Sequence, residues 1–442
     1  MSGGWSPLTR GLALFALVSA LGVNLVLIGS GQPGVADELA RFATGTQGVD
    51  SWRPMNQALR HLETDAPRPL YAWLFFDQRI KFIYPPTSLL LIDAFDAVFS
   101  QARLRSALNV FSWLLVVVTA LFSVALFDRV LEASPRTRAL DRRDRLARAG
   151  LSLLLSFAFY PVLKAYSLGQ MQVFLNALFA ALLYAWVVKW KRSAGVLVAL
   201  LTAVKPQYGA LALWGLLRRE TSFVAATALA GLTLLALSVG RFGWETHVDY
   251  LSVVAEVSRL GEAYWPNQTI NGFLQRLLGN GVSAHWDPHV YPPYHRLVHA
   301  GTLGGAALLL GAALFLPARG RLRGSAYDLA ATALALTMAS PVAWEHHYGV
   351  LLPIFALLVP ALLRVPLLGR ARLPVIALVA ALASNAWLAL GALSGTPWNP
   401  LQSLLFFVAL AVFGLVLALC RSSAEPNEAG AGAANGALSA LP

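Results

Sequence analysis

Residues 340–348 form a dense polar cluster between two apolar runs of the chain. The stretch reads Ser-Pro-Val-Ala-Trp-Glu-His-His-Tyr and sets one carboxylate, Glu345, beside two imidazoles, His346 and His347. Trp344 precedes them. Ionisable groups are costly in or near a bilayer, so they persist mainly where they bind or react with something. The pattern therefore predicts a functional site at this point, where a membrane segment should begin.

Similar polar groups recur at the ends of other apolar runs. They carry donors and acceptors suited to a sugar or a phosphate, and one carboxylate that could accept a proton. If all these ends lie on one side of a membrane, they can form a single site. The groups are Asp50, Tyr84-Pro85-Pro86, Gly169-Gln170 and Asn267-Gln268-Thr269.

Composition places the chain in a bilayer. Of its 442 residues, 57% are hydrophobic and 13% are charged, whereas soluble domains are about a quarter charged. The mean hydropathy is +0.60. The net charge of +12 does not indicate nucleic-acid binding, because the basic residues lie in short loops between apolar runs. Seven runs are long enough to cross the bilayer: 11–30, 106–127, 169–188, 221–240, 298–317, 373–393 and 401–420.

Basic residues predict the orientation. The arginine-rich segment 128–148 and the clusters near 190, 218, 321 and 370 belong in the cytoplasm by the positive-inside rule. Segments 340–347 and 394–400 lack Lys and Arg and are predicted to face outward. With this assignment every polar group named above falls on the outer face. The prediction is a single membrane domain, residues 1–421, with both termini cytoplasmic, and a disordered cytoplasmic tail, 422–442.

Two segments do not fit a single crossing. Segment 83–99 would put the arginine-rich loop outside if it crossed, so we predict a helix along the outer interface. Segment 194–217 has basic residues at both ends and Pro206 in its middle, which predicts a hairpin of two half-length helices. With 149–164, broken near Tyr160-Pro161, and with 325–340 and 348–363, the total is about twelve membrane segments. The predicted fold is all-α, with two long outer loops, 31–105 and 241–297.

Roles follow from residue type. Asp50 is the candidate general base, with Asp37 as the competing carboxylate. Lys205, at the hairpin tip, is suited to a lipid phosphate. The amide of Gln170 could bind a sugar or pair helices. Tyr84-Pro85-Pro86 is favoured as a stiff turn that leads into the interfacial helix, with Tyr84 as a candidate pocket wall. Adjacent histidines do not have the i, i+4 spacing of zinc helices, so hydrogen bonding to phosphate or sugar is favoured over a metal.

In this order, the motifs resemble glycosyltransferase family 87. The motifs are an outer-loop Asp, Tyr-Pro-Pro, Gly-Gln…Asn, Lys-Pro-Gln, Asn-Gln-Thr and Ser-Pro-x-x-Trp-Glu-His-His. The resemblance implies a GT-C fold and a polyprenyl-phosphate sugar donor. It also implies that Asp50 is the catalytic aspartate and Lys205 the lysine of the Lys-Pro motif. Finally, it implies that His346 and His347 lie near the donor phosphate.

The sequence therefore predicts a glycosyltransferase of the bacterial inner membrane. It would transfer mannose or arabinofuranose, with inversion and without a cofactor, to a lipid or glycan acceptor on the outer face. Tyr84, Gln170, Asn267, Gln268, Trp344 and Glu345 are the predicted substrate-binding residues. A flippase for lipid-linked sugars and a non-catalytic subunit are the alternatives. Transporters tend to have repeated halves and polar residues at the midplane, which this sequence lacks.

Overall fold

The computed structural model describes residues 5–64, 68–133, 142–365 and 367–422, with the side chain of Arg319 left out. Within these ranges the regular structure is helical, and a single isolated bridge joins Asn267 to Trp344. The first nine helices are α1 Pro7–Gly29, α2 Gly34–Ala43, α3 Trp52–Leu62, α4 Leu89–Val98, α5 Gln101–Glu132, α6 Arg142–Phe157, α7 Tyr160–Leu168, α8 Gln172–Val187 and α9 Lys191–Val204. The others are α10 Ala210–Arg218, α11 Thr221–Phe242, α12 Trp244–Leu260, α13 Ile270–Leu277, α14 Arg296–Phe315, α15 Ala326–Ala339, α16 Leu351–Arg364, α17 Arg372–Ser384 and α18 Leu404–Ser422.

Six helices of the described chain are long and apolar enough to cross a membrane. They are α1, α5, α11, α14, and α16 and α18 together with the short 3₁₀ turns that lead into them, Glu345–Val350 and Asn399–Ser403. Only 17% of the most apolar window of α11 and of α14 is buried. Their apolar side chains therefore face outward, as helices in contact with lipid do. The chain is a polytopic, all-helical membrane protein; the count of about twelve segments stays a prediction.

A bent pair of helices accounts for segment 149–164. Helices α6 and α7 meet at 49°, and together they would form a seventh span. Pro161 occupies the start of α7, where its missing N–H costs nothing, and it prevents α6 from continuing. The predicted break near Tyr160-Pro161 is confirmed.

The segment around Lys205 is a helical hairpin. Helices α9 and α10 are joined by the 3₁₀ turn Pro206–Gly209. Gly195, early in α9, and Gly215, late in α10, both pack against Phe223 of α11, so the chain returns to the level at which it started. A side chain at Gly195 would meet the Phe223 carbonyl oxygen at 2.4 Å. The hairpin agrees with the sequence prediction, whereas its entry from the cytoplasmic side stays a prediction.

Buried polar contacts fix the base of this hairpin. The Arg218 Nε lies 2.5 Å from the Asp328 Oδ2, and the Trp214 Nε1 donates to the Asp328 Oδ1 at 2.9 Å. Asp328 lies on α15, which is buried along almost its whole length and occupies the centre of the bundle with α8. The hairpin is therefore anchored to the core at its open end, which leaves Lys205 at the far end.

The run 373–393 is predicted to be one continuous span, but its helix is broken in the structure. Helix α17 ends at Ser384, and Asn385 adopts an extended backbone before a 3₁₀ turn over Leu388–Leu393. The Asn385 Oδ1 accepts a hydrogen bond from the Asn24 Nδ2 at 3.0 Å. The break coincides with this contact to a residue 361 positions away, which a hydropathy pattern does not report.

The two predicted outer loops contain short helices. Helices α2, α3 and α4 lie within 31–105, and α12 and α13 lie within 241–297. Their position at a membrane interface stays a prediction. The predicted disordered tail falls outside the described residues, except for Ser422, which ends α18.

Candidate active site

Most of the predicted site residues line one cleft. It holds about 660 Å³, including space open to solvent. Six of the residues singled out from the sequence contribute to its walls, and they come from four separate parts of the chain. They are Asp50, Tyr84, Gln170, Trp344, His346 and His347; the other lining residues are Ser51, Lys81, Ile83, Val257, Glu262, Trp286, Tyr291 and Val342.

The Asp50 segment is fixed by the turn between α7 and α8. The backbone N–H groups of Asp50 and Ser51 donate to the carbonyl oxygens of Leu168 and Gly169, both at 3.0 Å. Gly169 has a φ of +72°, and a Cβ there would lie 2.3 Å from the Gly48 oxygen. Glycine is therefore required by both its backbone conformation and this close approach. These hydrogen bonds between the segment at Asp50 and the turn at Gly169 hold Asp50 beside Gln170.

The Gln170 amide is oriented toward Asp50. Its Oε1 lies 2.8 Å from the Ser51 Oγ and 3.0 Å from the Tyr84 hydroxyl, so its Nε2 faces away from both and donates to the Asp50 Oδ2. The Asp50 residue is exposed within the cleft, while protein atoms of the cleft walls surround its carboxyl group. This burial raises the pKa of the Asp50 carboxyl above its usual value, and the Gln170 hydrogen bond partly lowers it again.

The competing carboxylate lies elsewhere. Asp37 is exposed on α2 and does not line the cleft. Its neighbour Glu38 is buried and accepts a hydrogen bond from the Lys164 Nζ at 2.9 Å. The Ser-Trp-Arg-Pro stretch after Asp50 is compatible with a helix, because α3 begins at Trp52 and Pro54 lies in its first turn. The geometry favours Asp50 over Asp37.

Asn267 and Gln268 hold the segment that carries the histidines. The Asn267 side chain accepts from the Ala343 N–H at 3.0 Å and donates to the Pro341 oxygen at 3.1 Å. The Gln268 Nε2 donates hydrogen bonds to the carbonyl oxygens of Trp265 and Gln402, at 2.7 and 2.8 Å. Both side chains are buried and neither lines the cleft. Their contacts give them a scaffolding role; direct contact with substrate stays a prediction.

The two histidines follow Trp344 in a 3₁₀ turn, and both line the cleft. Their ring centroids are 4.5 Å apart. The His347 Nδ1 accepts the backbone N–H of Trp344 at 3.0 Å, so the proton of the neutral ring lies on Nε2. His347 therefore has one hydrogen-bond donor left for another partner.

Glu345 lines a different cavity. Its Oε2 accepts the Tyr160 hydroxyl at 3.2 Å, and the two residues share a smaller space of about 280 Å³ with Gln268, Trp265 and others. The tight 3₁₀ turn separates the side chains of consecutive residues by about 120°, which sends Glu345 away from the histidines. Contact of Glu345 with the same substrate as Asp50 stays a prediction that this geometry does not favour.

Lys205 lies behind the histidines and does not line the cleft itself. Its Nζ donates to the Gln172 Oε1 at 2.9 Å, and the Gln172 Nε2 donates to the Asn176 Oδ1 at 2.9 Å. Asn176 packs against Gly349, two residues after His347. Lys205 is thus linked to the segment that carries the histidines through Gln172 and Asn176. Within the described ranges, no carboxylate forms an ion pair with it.

Five polar or aromatic lining residues were not predicted: Ser51, Lys81, Glu262, Trp286 and Tyr291. Lys81 lies three residues before Tyr84 in a predicted outer loop, a signal that could have been used. Glu262 is 181 residues away from its partner Lys81, so only the fold brings them together. Within the described part of the chain, no group of three or more His, Cys, Asp or Glu side chains could hold a metal ion.

Comparison with known proteins gives relatives of one kind. Over 301 residues the chain is 28% identical to a polyprenol-phosphate-mannose-dependent alpha-(1-2)-phosphatidylinositol mannoside mannosyltransferase of Mycobacterium tuberculosis, covering 65% of each chain. The protein of that name in Mycolicibacterium smegmatis is 28% identical over 65% of this chain and 64% of its own. The pentamannoside mannosyltransferase of the same species is 26% identical, over 66% of this chain and 65% of its own. The chain thus spans just under two thirds of these relatives.

No solved structure matches the chain. The family model of glycosyltransferase family 87 matches residues 82–343, which is more than half of the sequence. This match confirms the resemblance seen in the motifs. It includes Tyr84, Gln170 and Lys205, and it ends at the segment that carries the two histidines. The chain is a member of glycosyltransferase family 87.

Proposed function

We propose that this chain transfers mannose from polyprenyl-phosphomannose to an acceptor hydroxyl, in the cleft lined by Asp50, His346 and His347. The observation that carries the proposal is the presence of a positioned carboxylate and two imidazoles in one cleft, with Lys205 behind them. The names of the relatives favour mannose over arabinofuranose. A phosphatidylinositol mannoside is the acceptor named for those relatives, and a lipid with a sugar headgroup is the acceptor class we propose here.

The proposed reaction is a single displacement. The Asp50 carboxylate accepts the proton of the acceptor hydroxyl, and the hydroxyl oxygen forms a bond to the anomeric carbon. The bond from that carbon to the phosphate oxygen breaks, and polyprenyl phosphate leaves. Asp50 and Glu262 are the carboxylates that line the cleft, and Glu262 is held by the Lys81 Nζ at 2.8 Å. One available carboxylate fits a base that activates the acceptor, which inverts the configuration.

The leaving group gains charge that cations and N–H donors can stabilise. Lys205 has a neutral amide as its hydrogen-bond partner, so an anion would compensate its charge. A phosphate held between Lys205 and the imidazoles would receive charged and neutral N–H donors as its negative charge grows. The polyprenyl chain would lie between helices in the membrane.

Proteoliposomes separate transfer from transport. With labelled polyprenyl-phosphomannose in one leaflet and an acceptor glycolipid present, we expect the label to appear in a larger glycolipid. Label that changes leaflet without entering a product would identify a flippase and overturn the proposal. Label that does neither, with a donor known to be intact, would identify a non-catalytic subunit and overturn it equally.

A pH profile tests the role of the carboxylate. The base is active when ionised, so transfer should fall as the pH falls through the pKa of Asp50. Burial raises that pKa, so the loss should begin at a higher pH than for a free aspartate. Gln170→Met removes the donor that lowers the pKa, and should move the acid limb to still higher pH.

Gln101→Met is the matched control for that profile. Gln101 donates to Asp96 in the same kind of amide–carboxylate pair, but both lie away from the cleft. We expect its profile to match that of the unmodified protein. An unshifted profile for Gln170→Met would contradict Asp50 as the titrating base.

Cysteine labelling tests the proposed outward face of the site. The sequence has a single cysteine, Cys420, which is buried and gives a low background. We expect Thr396→Cys to react with an impermeant maleimide in intact cells, and Ser193→Cys to react only after permeabilisation. Both positions are exposed, so access to them differs by side of the membrane alone. The reverse labelling would contradict the orientation.

A further inference from the structure

A wall of the cleft has no part in the reaction described above. It is formed by Lys81 from the first long loop, by Trp286 and Tyr291 from the second, and by Trp344 beside the histidines. The loop segment that carries Trp286 and Tyr291 has no regular helix or strand. Its position must therefore come from side-chain contacts, and those contacts are specific.

Lys81 holds this loop in place. Its Nζ donates to the Glu262 Oε2 at 2.8 Å and to the Val290 carbonyl oxygen at 3.0 Å. The same ammonium lies 4.3 Å from the centroid of the Tyr291 ring. Such a cation over an aromatic face is attractive. Because its charge is already paired with a carboxylate, Lys81 is not a candidate for the donor phosphate, in contrast to Lys205.

Two donors on this wall have no acceptor. The Tyr291 hydroxyl and the Trp344 Nε1 are both buried atoms without a hydrogen-bond partner in the described part of the chain. A buried donor left unpaired is unfavourable, and such atoms are unusual unless a ligand or water completes them. Both belong to residues that line the cleft, so a bound molecule can supply the missing acceptors.

The aromatic rings complete the wall. Trp286 packs edge-to-face on Trp344, with centroids 5.7 Å apart and an interplanar angle of 85°. The Trp286 side chain remains 38% exposed, so part of its ring is free for a ligand. A ring surface with N–H and O–H donors at its edge suits a sugar, which presents C–H groups on one face and hydroxyl oxygens at its rim. A simple lipid alcohol has no group for these donors beyond the attacking hydroxyl.

We propose that Trp286, Tyr291 and Trp344 form the subsite that binds the sugar ring of the acceptor. The substrate class is thus a pyranoside-headed acceptor, held so that one of its hydroxyls reaches Asp50. The Lys81–Glu262 pair positions the loop and does not contact the reacting atoms. This inference rests on the proposed function, because it assigns the acceptor side of the same cleft.

Kinetics of two matched tyrosine variants test the subsite. Tyr291→Phe removes a single oxygen, and the loss of one hydrogen bond should raise the acceptor KM about five- to tenfold. The KM for polyprenyl-phosphomannose should stay near that of the unmodified protein. Tyr294→Phe is the control, because Tyr294 lies in the same loop but is 52% exposed and does not line the cleft. Equal acceptor KM values for the two variants would overturn the subsite.

A tryptophan pair tests the stacking surface in the same way. Trp286→Leu should raise the acceptor KM by about tenfold or more, because it removes aromatic contact area. Trp398→Leu, at an exposed tryptophan outside the cleft, should not change it. An equal rise in donor and acceptor KM for Trp286→Leu would mean a general disturbance of the cleft, and would overturn the specific assignment.

A binding measurement separates this inference from the proposed function. Methyl mannoside is titrated against the purified protein by saturation-transfer NMR, with glycerol as a polyol that lacks a ring. We expect saturable binding of the mannoside that Tyr291→Phe and Trp286→Leu weaken. If the mannoside binds in this way but no mannose is transferred, the proposed function is contradicted and the subsite is supported. If both variants transfer mannose as the unmodified protein does, and no mannoside binding is detected, the subsite is contradicted and the proposed function is supported.

Discussion

Replacing Asp50 with asparagine should abolish sugar transfer and leave binding of the donor nearly unchanged. Asparagine has almost the same shape as aspartate but cannot accept a proton at any relevant pH. General base catalysis contributes about 10²–10⁴ in rate, so the loss should be unmistakable. The measurement is transfer of labelled mannose by the purified protein, with donor binding measured separately at equilibrium. Retained donor binding is expected because the carboxylate acts on the acceptor hydroxyl and not on the phosphate.

Asp37→Asn is the control for this substitution. Asp37 lies in the same predicted outer loop but is exposed on α2, away from the cleft, and its variant should be close to fully active. An inactive Asp37→Asn beside an active Asp50→Asn would mean that the wrong carboxylate has been assigned. Full activity of both variants would mean that neither carboxylate is the base.

Replacing Lys205 with alanine should impair use of the donor severely. The proposed contact is to the phosphate, where charge increases as the bond to the sugar breaks. Loss of a comparable donor to a developing oxyanion costs about 10²–10³ in kcat. Lys205→Met should be as impaired as Lys205→Ala, because it restores the length of the side chain without its charge. Lys205→Arg should keep part of the activity, although arginine is not an equivalent replacement for lysine.

A surface lysine, Lys189, provides the control for the Lys205 substitutions. Lys189 is exposed in the turn between α8 and α9, and Lys189→Ala should behave as the unmodified protein does. Expression and thermal stability of all four variants should be similar, since Lys205 has one hydrogen bond to Gln172 and no ion pair within the described chain. A fully active Lys205→Met protein would remove the lysine from the mechanism.

Local signals predicted much of the architecture. The break at Tyr160-Pro161 and the turn near Lys205-Pro206 depend on proline, whose effect on a helix is local. The first span and four others follow from runs of apolar residues that are longer than a bilayer requires. The grouping of Asp50, Tyr84, Gln170, His346 and His347 followed from assigning their segments to one side of the membrane. The basic residues of the loops are sufficient to place these segments on one side, by the positive-inside rule.

The rest depends on contacts that no local pattern reports. Lys81 pairs with Glu262 across 181 residues, and the end of α17 is associated with a contact between Asn385 and Asn24. The roles of Asn267 and Gln268 could not be read from their polarity, because an amide looks the same whether it binds substrate or backbone. Glu345 is in the smaller cavity because successive side chains of the 3₁₀ turn point about 120° apart, and the sequence does not specify where that turn begins.

The fate of the donor phosphate tests the central claim most directly. Purified protein is given an acceptor glycolipid and a donor labelled with ³²P in the phosphate and ¹⁴C in the mannose. Cleavage between the anomeric carbon and the phosphate oxygen predicts ¹⁴C in the glycolipid, an equal amount of ³²P in polyprenyl phosphate, and a new glycosidic bond of configuration opposite to that of the donor. Both labels together in the product, or a bond with the donor's configuration, would contradict single displacement by an acceptor that Asp50 activates.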